Sequence, residues 1–313
     1  MKEVDFGHLK TFAQEYVPFE WEIDRETHQE DFRGKHSVLI NLVRYWQAIQ
    51  HVQAAFQNDP LRSVVDVGSY PGCFLKILRH FCSNDIRYTG IGLGFSEAYM
   101  TTMEALGARL FATELDPDFP EAKEPRDWPV SNIDCCLFLD VIEHLVNPVH
   151  CLDQINKSLR MGGKLILTTD NIAAFGYVYH MLRHGGSPNT PPPRSNLFFR
   201  GDWRPHSKEF SRQELVFFLK HCGFKLIKHQ YFERRQGNYY FDQVGRCKNK
   251  YGWGHGAVKG VGLRLLLRHV PHLRNHQILI AEKEIEFSEV SSKRPGPTRD
   301  MGEWLKIRQT LGC

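Results

Sequence analysis

Residues 62–72 read RSVVDVGSYPG, and this stretch decides the fold. A short β-rich run ends at Gly68, a tight turn carries the chain to Gly72, and FLKILRHF follows with apolar residues at helical spacing. Strand, glycine turn and helix in that order open a βαβ unit. Glycine in such a turn lets backbone approach a ligand, and the N–H groups of the helix start point toward it. In an open parallel sheet the turn sits at the carboxyl edge of the strands, where ligands bind. Taken alone, Gly68 and Gly72 fit a plain strand-to-helix connection equally well.

Working outward, the same alternation continues: IRYTGIGL then SEAYMTTMEALG, ARLFATEL, IDCCLFLD then a helix expected from 141, and KLILTT after a loop at 160–163. Short strands separated by helices predict an α/β chain with a mainly parallel sheet. Upstream, LINLVRYWQAIQHVQAAF (39–56) has helical spacing, so residues 1–60 read as a helical extension. Downstream, GGSPNTPPPRSN (185–196) is too rich in Gly and Pro for an element interior and reads as part of a substrate loop over 174–210. Ser211 to Glu214 has the form of a capping box, Gly223 stands where a helix C′ glycine belongs, and FKLIKHQYF and HQILIAEK read as the last two strands. The main domain thus spans 61–285, and the segment 286–313, poor in hydrophobic pattern from Phe287 on, is expected to be a flexible tail.

With 313 residues, 42% of them hydrophobic, the chain can bury one large core, and a net charge of +4 advertises no polyanion-binding field. Nucleic acid is therefore not the favoured partner. The eight cysteines are scattered without CxxC pairs, several in apolar runs, which predicts reduced buried thiols and a cytoplasmic location. No run approaches the roughly 18 apolar residues of a membrane span. The stretch GLRLLLRHVPHL (262–273) is a short basic, apolar helix suited either to docking on the sheet or to weak peripheral contact with a membrane surface.

The chemistry concentrates in LFLDVIEHLVNP, where Asp140, Glu143 and His144 stand at i, i+3 and i+4 and would share one helix face. Two carboxylates and an imidazole so placed can hold a divalent cation. A capping role competes with that reading, because Asp-x-x-Glu near a helix start is close to a capping box. The second histidine that shifts the balance is His206 in RPHSKEFSRQEL, just before the capped helix.

In order and spacing, Asp66 to Gly72, the acidic turn Glu114-Leu-Asp116, the strand end LFLDVIEHL and the Gly162-Gly163 loop before KLILTT resemble class I S-adenosylmethionine-dependent methyltransferases over roughly residues 60–285. The resemblance implies a Rossmann-like, mainly parallel seven-stranded sheet with helices on both faces. It implies that Gly68, Ser69 and Gly72 surround the methionine portion of the donor, that Asp66 is also cofactor-binding, that Asp116 approaches the adenine region, and that Leu139 or Asp140 flanks the cofactor. One departure stands out: many members carry a carboxylate at the end of the second strand to bind the ribose hydroxyls, and this chain has Gly92 there, with Glu97 nearby.

The pair of histidine motifs resembles a metal-dependent O-methyltransferase subset, among them small-RNA 2′-O-methyltransferases, ubiquinone-pathway enzymes and glycan or sugar O-methyltransferases. That implies a metal set of Asp140, Glu143, His144 and His206, with Glu143, His144 and His206 catalytic. The oxygen ligands favour Mg²⁺ or Mn²⁺, and two imidazoles pull toward Mn²⁺, Co²⁺ or Zn²⁺. A bound cation lowers the pKa of an aliphatic hydroxyl and fixes its oxygen, and a vicinal diol suits such a site. His180 and His184 are candidate proton acceptors, Phe175, Tyr177, Tyr179, Phe198, Phe199 and Trp203 could stack on a small-molecule or glycan substrate, and Arg194, Arg200 and Arg204 could meet phosphate. The expected function is metal-dependent O-methylation of a vicinal hydroxyl on a sugar-like or glycan-linked acceptor. The alternatives are 2′-O-methylation of an RNA end and a catalytically silent methyltransferase-like scaffold.

Overall fold

A computed structural model describes residues 4–19, 37–57, 61–119, 122–185, 204, 206–233 and 265–294. Seven strands form one sheet: β1 (Ser63–Val67), β2 (Arg87–Gly92), β3 (Ala108–Ala112), β4 (Ile133–Leu139), β5 (Leu159–Asp170), β6 (Phe224–Phe232) and β7 (His276–Lys283). Their order is β3-β2-β1-β4-β5-β7-β6. The first five strands in that order run parallel, and β7 pairs antiparallel with both β5 and β6. The α/β class, the seven strands and their mainly parallel sense are as the sequence predicts.

Alternation along the strands explains why helices cover both faces. Val64, Leu137, Ile166 and Ile278 belong to one apolar cluster, while Val65, Phe138, Leu167 and Leu279 belong to the other. The first cluster is closed by α1 (Phe6–Glu15), α3 (Leu42–Ala55), α4 (Cys73–Phe81) and α5 (Glu97–Ala105), and the second by α6 (Pro148–Ser158) and α8 (Arg212–His221). A short α2 (Ser37–Ile40) precedes α3, and α7 (Phe175–His184) follows β5. The N-terminal helices are thus part of the core: α3 buries Val43, Tyr45, Ala48, Ile49 and Val52. The capping box at Ser211 and Glu214 is present, and Gly223 closes α8 with φ +82°.

Three local expectations change. No α-helix starts at 141. Asp140 takes a left-handed backbone (φ 55°), a single 3-10 turn covers Ile142–His144, and α6 begins only at Pro148 behind the Asn147 N-cap. Residues 160–163 are not a free loop but lie within β5, where pairing jumps from Ile133↔Leu159 to Cys135↔Lys164 and Gly162 supplies the positive φ that the bulge needs. The tail is helical at its start: α9 (Phe287–Lys293) buries Val290, and Arg294 pairs with Asp153 while donating to the His221 carbonyl. Of the segment 262–273, residues 265–269 are helical and Leu267 is buried. The six described cysteines are free thiols, five of them buried. Among the described residues, no helix is long and apolar enough to cross a membrane.

Candidate active site

A cavity of about 500 Å³ opens beyond the carboxyl ends of β1, β2 and β4, lined by Gly68, Ser69, Gly92, Phe95, Leu115 and Val141. His144 and Arg204 line it as well. Gly68 donates its N–H to the Ile91 carbonyl at 2.8 Å, with φ +74°. A Cβ at this position would stand 2.5 Å from Val141 Cγ2, so the bare backbone keeps the cavity floor open. Ser69 is fixed by Tyr99, whose hydroxyl donates to the Ser69 carbonyl at 3.0 Å and whose ring stacks on Phe95 at 5.2 Å. Gly72 is the N-cap of α4 with no side-chain cap of its own, leaving backbone N–H groups at that helix start.

Gly92, at the end of β2, faces the Phe95 ring. A Cβ on Gly92 would lie 3.0 Å from Phe95 Cζ, so a carboxylate side chain there meets the aromatic ring. Glu97 is the first residue of α5 and exposed, and it does not line the cavity. Asp66 and Leu139 line a smaller crevice beside it, together with Arg44. Burial pushes the Asp66 carboxyl up to about 7, against the hydrogen bond from the Tyr88 hydroxyl and the charge of Arg44.

Asp116 stands apart from the adenine role implied for it. It is fully buried and accepts backbone N–H bonds from Asp118, Val146 and Asn147, which tie the turn after β3 to the loop before α6. Its oxygens are spent on backbone, and its neighbour Leu115 lines the cavity instead.

Glu143, His144 and His206 converge, with one candidate ligand atom from each lying within 4.8 Å of the others. The two imidazole rings are 4.7 Å apart and perpendicular. Glu143 is 1% exposed and accepts from Thr169 Oγ1 at 2.8 Å. Burial, reinforced by the charges of Asp140 and Asp170, pushes its carboxyl up to about 7. For His206, burial disfavours the charged ring, but Glu209, Glu143 and Asp170 outweigh it and raise its pKa. His206 Nδ1 lies 3.6 Å from Glu209 and 3.7 Å from Asp170.

Asp140 does not join that trio. With a left-handed backbone at 140, its carboxylate pairs with Arg44 and accepts from His276 Nε2 at 2.9 Å and Thr168 Oγ1 at 2.7 Å. His276 Nδ1 in turn meets Asp170 at 2.7 Å. Burial alone would lower the His276 pKa; the two flanking carboxylates instead hold it up at about 9. Four carboxylates (Asp140, Glu143, Asp170 and Glu209) are thus gathered around the imidazoles of His206 and His276, with Arg44 paired to Asp140. A carboxylate and two imidazoles, from Glu143, His144 and His206, are a donor set that fits a divalent cation.

Arg44, Asp170, Glu209 and His276 belong to this network without having been singled out in the sequence. Glu209 and Asp170 lie in readable contexts, an HSKEF run after His206 and the TTD strand end, but Arg44 and His276 sit in helical and strand patterns that carry no such mark. Tyr177 donates to Asp170 at 3.0 Å. Phe175 and Tyr179 are exposed and stacked along α7, which buries none of its residues, His180 and His184 included. Phe198, Phe199, Trp203, Arg194 and Arg200 lie outside the described residues.

A family model described as a methyltransferase domain matches residues 41–229, more than half of the chain. The chain belongs to that family, and with this sheet it is a class I S-adenosylmethionine-dependent methyltransferase. A search of curated proteins finds no match. Similar solved structures include a SAM-dependent methyltransferase from Archaeoglobus fulgidus (15% identity, 78% of this chain and 94% of that one, TM-score 0.47). Others are the Burkholderia thailandensis 1,6-didemethyltoxoflavin-N1-methyltransferase (13%, 80% and 82%, 0.46) and the [4+2]-cyclase SpnF (16%, 89% and 93%, 0.46).

Proposed function

We propose that this chain is a metal-assisted O-methyltransferase that acts on a vicinal hydroxyl of a sugar-like or glycan-linked acceptor. The observation that carries the reading is the position of His144, which lines the donor cavity and also belongs to the Glu143, His144 and His206 trio. Donor and acceptor oxygen are thereby brought to adjoining places, as methyl transfer requires.

Bound S-adenosylmethionine supplies an electrophilic methyl group on a sulfonium, and a divalent ion, Mg²⁺ or Mn²⁺, supplies the positive charge that acidifies a neighbouring hydroxyl. Gly68, Ser69 and the Gly72 helix start accommodate the methionine portion, with Asp66 and Leu139 in the adjoining crevice. Glu143 and the two imidazoles hold the cation. Thr169 orients Glu143 by its hydrogen bond, and the Arg204 carbonyl orients His144 at Nδ1. Asp140 serves as a charge partner for Arg44 and His276 and so braces the strand end that carries the trio. With no carboxylate on β2, the ribose is held by backbone and by the residues of the 93–96 turn.

A second reading keeps the donor and dispenses with the cation. It is favoured by the elevated pKa of Glu143, about 7, which suits a general base at neutral pH. A panel of diol acceptors assayed with Mn²⁺, with Mg²⁺ and with chelator separates the two. Methylated product that disappears with chelator and returns with Mn²⁺ supports the metal reading, and product formed equally in chelator supports Glu143 as base.

A further inference from the structure

Arg204 occupies a junction. Its guanidinium makes two parallel hydrogen bonds of 2.8 Å to Glu114, both side chains are buried, and it lies 3.9 Å over the Phe119 ring. Its backbone carbonyl meets His144 Nδ1 at 2.5 Å. Two residues on is His206, and Ser207 then donates its N–H to the Glu143 carbonyl at 2.7 Å, with Ser207 Oγ also bonded to the Leu145 carbonyl. Arg204 and residues 206–208 are therefore stapled along 143–145, and Arg204 is itself anchored by the ion pair with Glu114. Glu114 is itself held by N–H groups of Leu115 and Asp116 at 3.0 Å each, just past β3.

A carbonyl can only accept. In a neutral ring the imidazole nitrogen bonded to it must carry the proton, and the other nitrogen, Nε2, then keeps the lone pair that a cation needs. We propose that Glu114 and Arg204 form a positioning pair that fixes the His144 tautomer and the approach of His206, so that the ion pair beside the donor cavity sets the affinity of the cation site. This rests on the metal-assisted reading above. Glu114 is the informative position, because it lines neither the cavity nor the trio, and Glu114→Gln keeps an oxygen for the Leu115 and Asp116 N–H groups while removing the charge that Arg204 meets.

The test has two arms on the full-length protein. In the first, ¹⁵N-histidine NMR of the metal-free chain, with the His144 resonances assigned through His144→Gln, reads the tautomer directly. The wild type is expected to hold the proton on Nδ1, and Glu114→Gln is expected to shift it toward a mixture of tautomers. A proton on Nε2 in the wild type overturns the proposal whatever the variants do. In the second arm, Mn²⁺ and S-adenosylmethionine affinities are titrated separately. Glu114→Gln should weaken Mn²⁺ about 10-fold or more, in the range seen for groups that orient metal ligands, while donor affinity stays within about twofold. Arg204→Lys, which keeps a positive charge for Glu114, should restore most of the Mn²⁺ affinity relative to Arg204→Ala, which keeps only the backbone carbonyl. Unchanged tautomer and Mn²⁺ affinity in a folded Glu114→Gln contradict the positioning role. If the wild type itself binds no Mn²⁺, the metal reading fails, and the NMR arm still decides whether the pair positions His144.

Discussion

His276 Nε2 and Asp140 Oδ1 lie 2.9 Å apart in the buried layer between the N-terminal helices and the sheet, with Asp170 on the other ring nitrogen. A ring flanked by two carboxylates is held protonated in the folded chain, up to about 9 from an ordinary 6.5. Its stabilising contribution is therefore complete below about 6.5 and is lost as pH rises through about 9. Asp66 and Glu143, raised to about 7, exhaust their own loss of stability below that limb. Thermal midpoints of the wild type should fall between pH 7 and 9, and His276→Gln should start lower and stay flatter over the same interval. Parallel curves for the two proteins would remove His276 from the charge balance.

Glu143→Ala should reduce turnover by a factor of about 10² to 10⁴, the scale of a lost acid, base or orienting group, while leaving donor affinity nearly intact. Isothermal titration with S-adenosylmethionine checks the second half. Equal loss of both would mean that Glu143 holds the loop rather than the chemistry.

Gly68→Ala introduces a Cβ 2.5 Å from Val141 Cγ2 at a backbone φ of +74°. Donor affinity should drop by about tenfold or more, equivalent to roughly 1–2 kcal/mol of left-handed strain together with the clash. Adding Val141→Ala relieves the clash but not the strain, so the double variant should recover only part of the affinity. Full recovery would place the whole effect in the contact.

Deleting residues 287–313 should lower the thermal midpoint by several degrees, because α9 seats Val290 on the core and Arg294 bridges to Asp153 on α6 and to the end of α8. A sequence reading of this stretch as tail misses the helix because only one apolar residue, Val290, is buried in it.

What could be read from the sequence follows a physical division. Strands β6 and β7 span the residues of FKLIKHQYF and HQILIAEK because local β propensity and flanking turns set their ends. The glycines at 68 and 223 were legible for a similar reason, since each answers a local need for positive φ. Glu143, His144 and His206 could be associated through spacing and motif. Asp140 could not be placed, because the i, i+3, i+4 argument assumes a helix and the chain makes a left-handed residue and a 3-10 turn instead. The backbone bonds that Asp116 accepts are not legible either, since two of its partners, Val146 and Asn147, are distant in sequence. Arg44 and His276 enter the site from the first and last parts of the fold, and only the packed sheet brings them to Asp140.

In the proposed mechanism Glu143, His144 and His206 hold one divalent cation beside the donor. Electron paramagnetic resonance titration of Mn²⁺ into the full chain, compared with His206→Ala, tests it most directly. One Mn²⁺ should bind per wild-type chain and that site should be lost in the variant, with S-adenosylmethionine binding retained. Wild-type protein that binds no more Mn²⁺ than His206→Ala would contradict it.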